Sequence, residues 1–336
     1  MAQLRRAAGW ILAVAILVFL GQTLLATWDQ VVKSGFEFRF DWLLLAISLG
    51  LLVVGRSFAV EAWRRIVTAL GNPISFRVAF RGWFISNLAR YIPGNIWQVA
   101  TLMVIVEPYG VTKTNVVLSQ AVYTTIALSI AGLFGLYVLP LFIPALANWT
   151  WIAGALFIVA VLVLAQPRVF EFIVELTTKF MARFRARFGQ DGNGNRSIVS
   201  APRAQLTFLR GLLIPLCSAC MWTTNGIAFF LFMRSTTGLS LDKLPVFIAM
   251  NAAAYMIGYV SFITPSGLGF REGALVAFLS PFFPTPVAVA LALAARLWST
   301  AGEMLGVLIA VLPTSNEKSN SLSGIARSET TNLRPR

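Results

Sequence analysis

The chain has 336 residues, 57% of them hydrophobic and only 12% charged, with a formal net charge of +14 and no histidine. Soluble globular proteins carry about 25% charged residues, and here uncharged apolar runs long enough to cross a hydrocarbon layer about 30 Å thick recur along the chain. A water-soluble fold is therefore excluded. The lysines and arginines gather in short segments beside the apolar runs, which is how cytoplasmic loops are charged. That placement points to anionic lipid headgroups, not nucleic acid, as their partner.

The first span is expected at Gly9–Thr27, after Arg5 and Arg6. It reads as an uncleaved anchor, because the run is long for a signal peptide and lacks a clear A-x-A site. Trp28–Asp41 mixes Asp29, Lys33, Glu37, Arg39 and Asp41 without a positive excess and is predicted to face outward. The second span starts near Trp42, carries Arg56, and ends among Glu61, Arg64 and Arg65, with Arg77 and Arg81 following on the expected cytoplasmic side. Phe76–Val106 is apolar but interrupted between Asn87 and Asn95, and neither half is long enough to span. A re-entrant hairpin opening to the cytoplasmic side fits it best.

The third span is predicted at Val116–Val138, and a charge-free turn, Leu139–Trp149, leads to a fourth at Thr150–Ala165. Pro167–Gln205 is the most basic loop, with Arg168, Lys179, Arg183, Arg185, Arg187, Arg196 and Arg203 against three acids. Its Phe170–Phe188 part reads as a helix lying along the membrane surface. Gln190–Ser197 is a linker, not a calcium loop, since Arg196 stands at the glycine position and Pro202 at the final acid position. The fifth span, Phe208–Met233, holds Cys217 and Cys220. They read as packing residues, because neither a second pair nor a histidine exists to complete a metal site. Leu244–Ser280 is a second interrupted stretch, broken between Thr264 and Glu272, and Val287–Val311 is the last span, with Arg296 and Glu303 inside it.

Together these segments predict an all-α, polytopic integral membrane protein. Its transmembrane domain covers residues 1–312, with a basic cytoplasmic loop at 167–205, and residues 313–336 form a disordered polar tail. Six full spans plus two re-entrant helical hairpins satisfy the charge bias. Both termini then lie in the cytoplasm, and the first hairpin opens inward while the second opens outward. Hairpin followed by span, repeated upside down, is the pattern of inverted-repeat transporters. Eight ordinary spans are the alternative.

Charged side chains deep in a bilayer cost about 2.5–3.5 kcal/mol each on insertion scales. Arg56, Arg90, Arg271, Glu272, Arg296 and Glu303 all lie in or near apolar segments, so they are expected to face one another or a wet cavity. Pro93-Gly94 and Pro265-Ser266-Gly267 should stop one half-helix and start another, exposing backbone N–H groups near Arg90 and Arg271. Such ends suit an anion, phosphate above all. Tyr91, Asn95, Gln98, Gly269 and Ser266 complete the candidate lipid-binding set, and Asn87 offers a further hydrogen bond. Neither a catalytic residue, a metal site nor a cofactor is expected, and the phosphate loop G-x-x-x-x-G-K-[ST] does not occur.

Ala89–Gln98, Ala-Arg-Tyr-Ile-Pro-Gly-Asn-Ile-Trp-Gln, and Pro265–Gly273, Pro-Ser-Gly-Leu-Gly-Phe-Arg-Glu-Gly, resemble two signatures of the lysylphosphatidylglycerol synthase transmembrane family, also called flippase-like. The resemblance covers roughly residues 40–312 and includes an arginine-bearing span like Leu291–Leu308. Many members carry a Gly-Glu pair after the first Pro-Gly, where this chain has Trp97-Gln98. The resemblance implies a multi-pass bacterial or archaeal protein that moves lipids between leaflets of the cytoplasmic membrane. Aminoacylating members attach lysine with a separate soluble domain. This chain ends in a short polar tail, so synthase activity is not expected to carry over. The leading expectation is a lipid flippase for an anionic headgroup such as a phospholipid or a polyprenyl-phosphate-linked lipid. A non-transporting partner of an envelope glycosyltransferase or lipid-modifying enzyme is the alternative, and a membrane-embedded transferase the weakest.

Overall fold

The structure is a computed structural model that describes residues 28–91, 96–188, 206–260 and 269–312, with residues 22, 25 and 26. Most of the first predicted span, both Pro/Gly tips, the Gln190–Ser197 linker and the tail lie outside the described residues. Among those described, residues 28–33 are helical and ten further α-helices follow, joined by turns and short 3₁₀ segments, with no strand. It is an all-helical, polytopic membrane protein. The helices are α1 (Trp42–Ala69), α2 (Phe76–Leu88), α3 (Trp97–Val106), α4 (Lys113–Gly135) and α5 (Thr150–Leu164), then α6 (Pro167–Phe188), α7 (Phe208–Thr237), α8 (Leu244–Val260), α9 (Phe270–Leu279) and α10 (Thr285–Val311).

Helix starts are set by local chemistry. Asp41, Ser75 and Thr112 each accept a hydrogen bond from a backbone N–H three residues on, at 3.0, 3.3 and 3.2 Å, capping α1, α2 and α4. These caps satisfy donors that a helix start leaves open. The stop of α7 is Gly238, whose φ of 68° is a left-handed conformation that favours glycine. Five helices are long and apolar enough to cross a bilayer: α1, α4 with its 3₁₀ extension to Leu141, α7, α8 with its 3₁₀ start at Leu241, and α10. The span predicted at Thr150–Ala165 forms a helix of only 15 residues. It reaches spanning length only jointly with α6, across a 73° bend.

That bend lies at Gln166 and Pro167, where the proline nitrogen has no proton to continue the α5 ladder. Beyond it, α6 turns Phe170, Ile173 and Val174 into the core and leaves Phe172, Leu176 and Phe180 exposed. Both faces are apolar, and charges lie between them. This is the composition of a helix lying in the membrane interface. Ahead of and at the start of α1, the rings of Trp28, Phe38, Phe40 and Trp42 stack in succession with centroids 6.1, 6.4 and 5.9 Å apart.

The two interrupted stretches turn back in opposite directions. Asn72, just before α2, donates to the carbonyl of Gly110, just after α3, at 2.9 Å. The α2–α3 hairpin therefore begins and ends at one end of the molecule. Phe247 near the start of α8 packs on Phe282 just after α9, with ring centroids 5.5 Å apart. That hairpin begins and ends at the other end, beside Phe36 and the close of α7. Each hairpin follows a long helix, α1 or α7, and precedes another, α4 or α10. The α4 span packs on α8, and α10 packs on α2, so each half holds the other's hairpin. The hairpins differ in depth, since α2 has 13 residues and α8 has 17.

Tryptophan N–H groups tie the long helices together. Trp63 of α1 donates to Ser119 of α4 at 3.0 Å, Trp298 of α10 to Ser48 of α1 at 3.0 Å, and Trp222 of α7 to the Ala127 carbonyl of α4 at 2.8 Å. Polar contacts of this kind hold helices in a solvent that offers them no hydrophobic drive to associate. Where α10 crosses α2, a Cβ on Gly306 would fall inside the Phe84 ring, so only glycine permits that approach.

Candidate functional site

Arg56 stands halfway along α1, Trp222 halfway along α7 and Trp298 halfway along α10. All three line a single cavity of about 230 Å³. A space bounded by the midpoints of spanning helices lies near mid-membrane depth. Arg90 and Gln98 reach it from the first hairpin, and Tyr255, Gly258 and Arg271 from the second. Arg296 completes the charged wall, and amides come from Asn87, Gln120, Asn225 and Asn251.

The arginines are anchored unequally. Glu303 of α10, 1% exposed, binds Arg56 Nη1 at 3.0 Å and also pairs with Arg90 Nη2. Arg56 Nη2 further donates to the Ser299 carbonyl at 3.3 Å. Arg296 Nη1 lies 3.5 Å from Glu272 Oε1, and Glu272 Oε2 accepts the N–H of Gly269 at 2.8 Å. Arg271 differs from the rest. Its residue is 9% exposed, its guanidinium lies 6.0 Å from the Tyr255 ring centroid, and among the described residues it makes neither an ion pair nor a hydrogen bond. A buried guanidinium served only by a ring face is costly unless something else joins it.

The predicted set is thus gathered in part. Arg90, Gln98, Arg271 and Arg296 line the cavity, while Glu272 and Glu303 hold arginines in its wall. Gly269 serves as the N-cap of α9, and Tyr91 closes the 3₁₀ turn Ala89–Tyr91. Pro93, Gly94, Asn95, Pro265, Ser266 and Gly267 lie outside the described residues. Two details depart from the expected geometry. Arg90 leaves the C-terminal end of α2 rather than the start of α3. At the start of α9 the Glu272 carboxylate takes the Gly269 N–H, so one of the donors that the sequence offers a ligand is engaged within the helix.

The family model described as "Lysylphosphatidylglycerol synthase TM region" matches residues 7–305. The chain belongs to this family. No curated protein and no solved structure is similar enough to match it. The match includes every residue that lines the cavity. At the position where many members carry the acid, Gln98 donates from Nε2 to Asn87 Oδ1 at 2.6 Å. This chain thus bridges the limbs of the first hairpin with a neutral contact.

Sequence reasoning missed Asn225, Asn251 and Tyr255. The available signal was their isolation, because lone amides inside apolar spans mark wet or partnered positions. Asn225 carries a further mark, since its Oδ1 is set against Gly55 so closely that no Cβ would fit there. That contact holds α7 against α1 beside Arg56.

Proposed function

We propose that the protein is a lipid translocase that receives an anionic headgroup in the arginine-lined cavity and carries it across the cytoplasmic membrane. The observation that carries this reading is the convergence of Arg90 and Arg271, from oppositely directed hairpins, on one cavity at mid-depth. Inverted repeats that meet around a central site allow it to face either side as one half rocks against the other. Thr124 of α4 and Tyr259 of α8 also line the cavity, and Tyr259 is 40% exposed. Acyl or prenyl chains leave through this edge into the bilayer while the head stays inside. The basic Pro167–Gln205 loop and both termini lie in the cytoplasm in this arrangement, in keeping with the positive-inside bias.

The reading involves no covalent chemistry. Glu272 and Glu303, the two acids buried among the described residues, are each engaged by arginines. The test is a leaflet-exposure assay in liposomes with purified protein and a fluorescent anionic lipid. Wild type should accelerate transbilayer exchange, and Arg271→Ala should reduce the rate to that of protein-free vesicles. Equal rates for both proteins would overturn the proposal.

A further inference from the structure

The charge count of the cavity narrows the class of headgroup. Four arginines reach it, Arg56, Arg90, Arg271 and Arg296. Among the described residues two carboxylates answer them, because Glu303 is shared by Arg56 and Arg90 while Glu272 takes Arg296. The hairpin tips add nothing to this count, since residues 92–95 and 261–268 include no Asp, Glu, Lys or Arg. Two positive charges are therefore in excess at mid-depth, where water screens poorly. Both lie on the Arg271 side or on the Arg56–Arg90 pair, which shares one acid.

The remaining lining matches this excess. Tyr123, Tyr255 and Tyr259 line it too, as do the amide residues Asn87, Gln98, Gln120, Asn225 and Asn251. An ammonium group on the ligand would meet four guanidinium groups, with both carboxylates already engaged. A single negative charge would leave half of the excess unanswered.

We infer that the cavity selects a headgroup bearing two negative charges, a phosphomonoester or a diphosphate, and rejects zwitterionic and cationic headgroups. Arg271 is the principal contact, because it reaches the cavity with its guanidinium unengaged by any described residue. Arg56 and Arg90 close on the same head from the other half of the molecule. This deepens the translocase reading and rests on it, but the two fail separately in the following experiment.

Binding is measured by calorimetry on the full chain in a neutral maltoside detergent. The probes are dodecyl phosphate, a dialkyl phosphodiester of equal carbon count, dodecyltrimethylammonium and inorganic phosphate. At pH 7.5 dodecyl phosphate should bind at least about tenfold tighter than the diester, and the ammonium probe should not bind. A phosphomonoester has its second pKa at about 6, so lowering the pH to 5 should weaken its binding about tenfold. The diester should change little over the same range. It controls for titration of the charged groups around the site, Arg56, Arg90, Arg271, Glu272, Arg296 and Glu303, and of the three tyrosines.

Arg271→Gln should bring the monoester-to-diester ratio close to one. Arg271→Lys should keep the ratio and guards against a folding defect in the first variant. Equal affinity for monoester and diester, or a flat pH profile for the monoester, overturns the charge selectivity and leaves lipid translocation standing. Inorganic phosphate binding as tightly as dodecyl phosphate keeps the dianion site and overturns the lipid reading. Binding of none of the probes overturns both.

Discussion

The two hairpins are built from the same parts, yet their arginines end in different surroundings. In the first, Arg90 crosses to the other half of the molecule and pairs with Glu303, which Arg56 also holds. In the second, the neighbouring acid turns back on its own helix, where Glu272 caps α9 through Gly269 and takes Arg296. Arg271 is left facing the cavity beside the Tyr255 ring, with neither an ion pair nor a hydrogen bond among the described residues. One arginine joins the halves, and the other is the one that the proposed function assigns to the ligand. The acid beside each hairpin decides which role its arginine takes.

The sharpest way to break this comparison is at Glu303. Glu303→Gln removes the one carboxylate between two largely buried arginines, and loss of one partner from a buried pair costs about 3–5 kcal/mol. The variant should melt well below wild type in detergent, while Arg271→Ala, which removes a cation with no ion pair among the described residues, should melt at or above it. Equal destabilisation by the two substitutions would mean that the hairpins do not divide their roles in this way. A smaller effect is expected at Glu272. Glu272→Gln keeps an oxygen for the Gly269 N–H but loses the charge facing Arg296, which lies at 3.5 Å. A loss of about 1–2 kcal/mol is expected. Anion binding should tighten at the same time, because the cavity gains positive charge. Weaker anion binding in that variant would place Glu272 in ligand recognition rather than in holding the helix start.

Much of this architecture was legible in the sequence because the bilayer leaves few choices. The apolar runs near Trp42, Val116, Phe208 and Val287 had to become helices, and α1, α4, α7 and α10 occupy those places. The bend before α6 could be read from Pro167 and from the charges among the apolar residues that follow. The limits of α5 were legible as well, Thr150–Ala165 expected and Thr150–Leu164 formed, whereas the 3₁₀ segment Pro144–Trp149 inside the preceding turn was not. The charged residues could be counted, but their pairing could not. Arg296 and Glu303 stand two turns apart on one helix, and packing gives each a partner from a hairpin, Glu272 for Arg296 and Arg90 for Glu303. Such pairings depend on which half crosses which, and this information is spread over the whole chain.

The finest adjustment of the comparison concerns Gln98. It faces the cavity from the first hairpin and donates to Asn87, and it stands where many relatives carry an acid. In Gln98→Glu, the contact with Asn87 survives if that side-chain amide flips, because its nitrogen can then donate to the new carboxylate. Folding should therefore be close to unchanged. The added negative charge offsets part of the arginine excess, and a charge facing another across a partly solvated cavity is worth about 1 kcal/mol. Binding of a dianionic amphiphile should weaken by about fivefold, and the preference for monoester over diester should shrink with it. If both affinity and preference stay at wild-type values, Gln98 lies too far from the ligand to influence it, and the ligand sits wholly on the Arg271 side. Should the preference fall while Arg271→Ala alone abolishes transport, the two hairpins share the headgroup: the second supplies the attraction, and the neutral residue of the first keeps it from being cancelled.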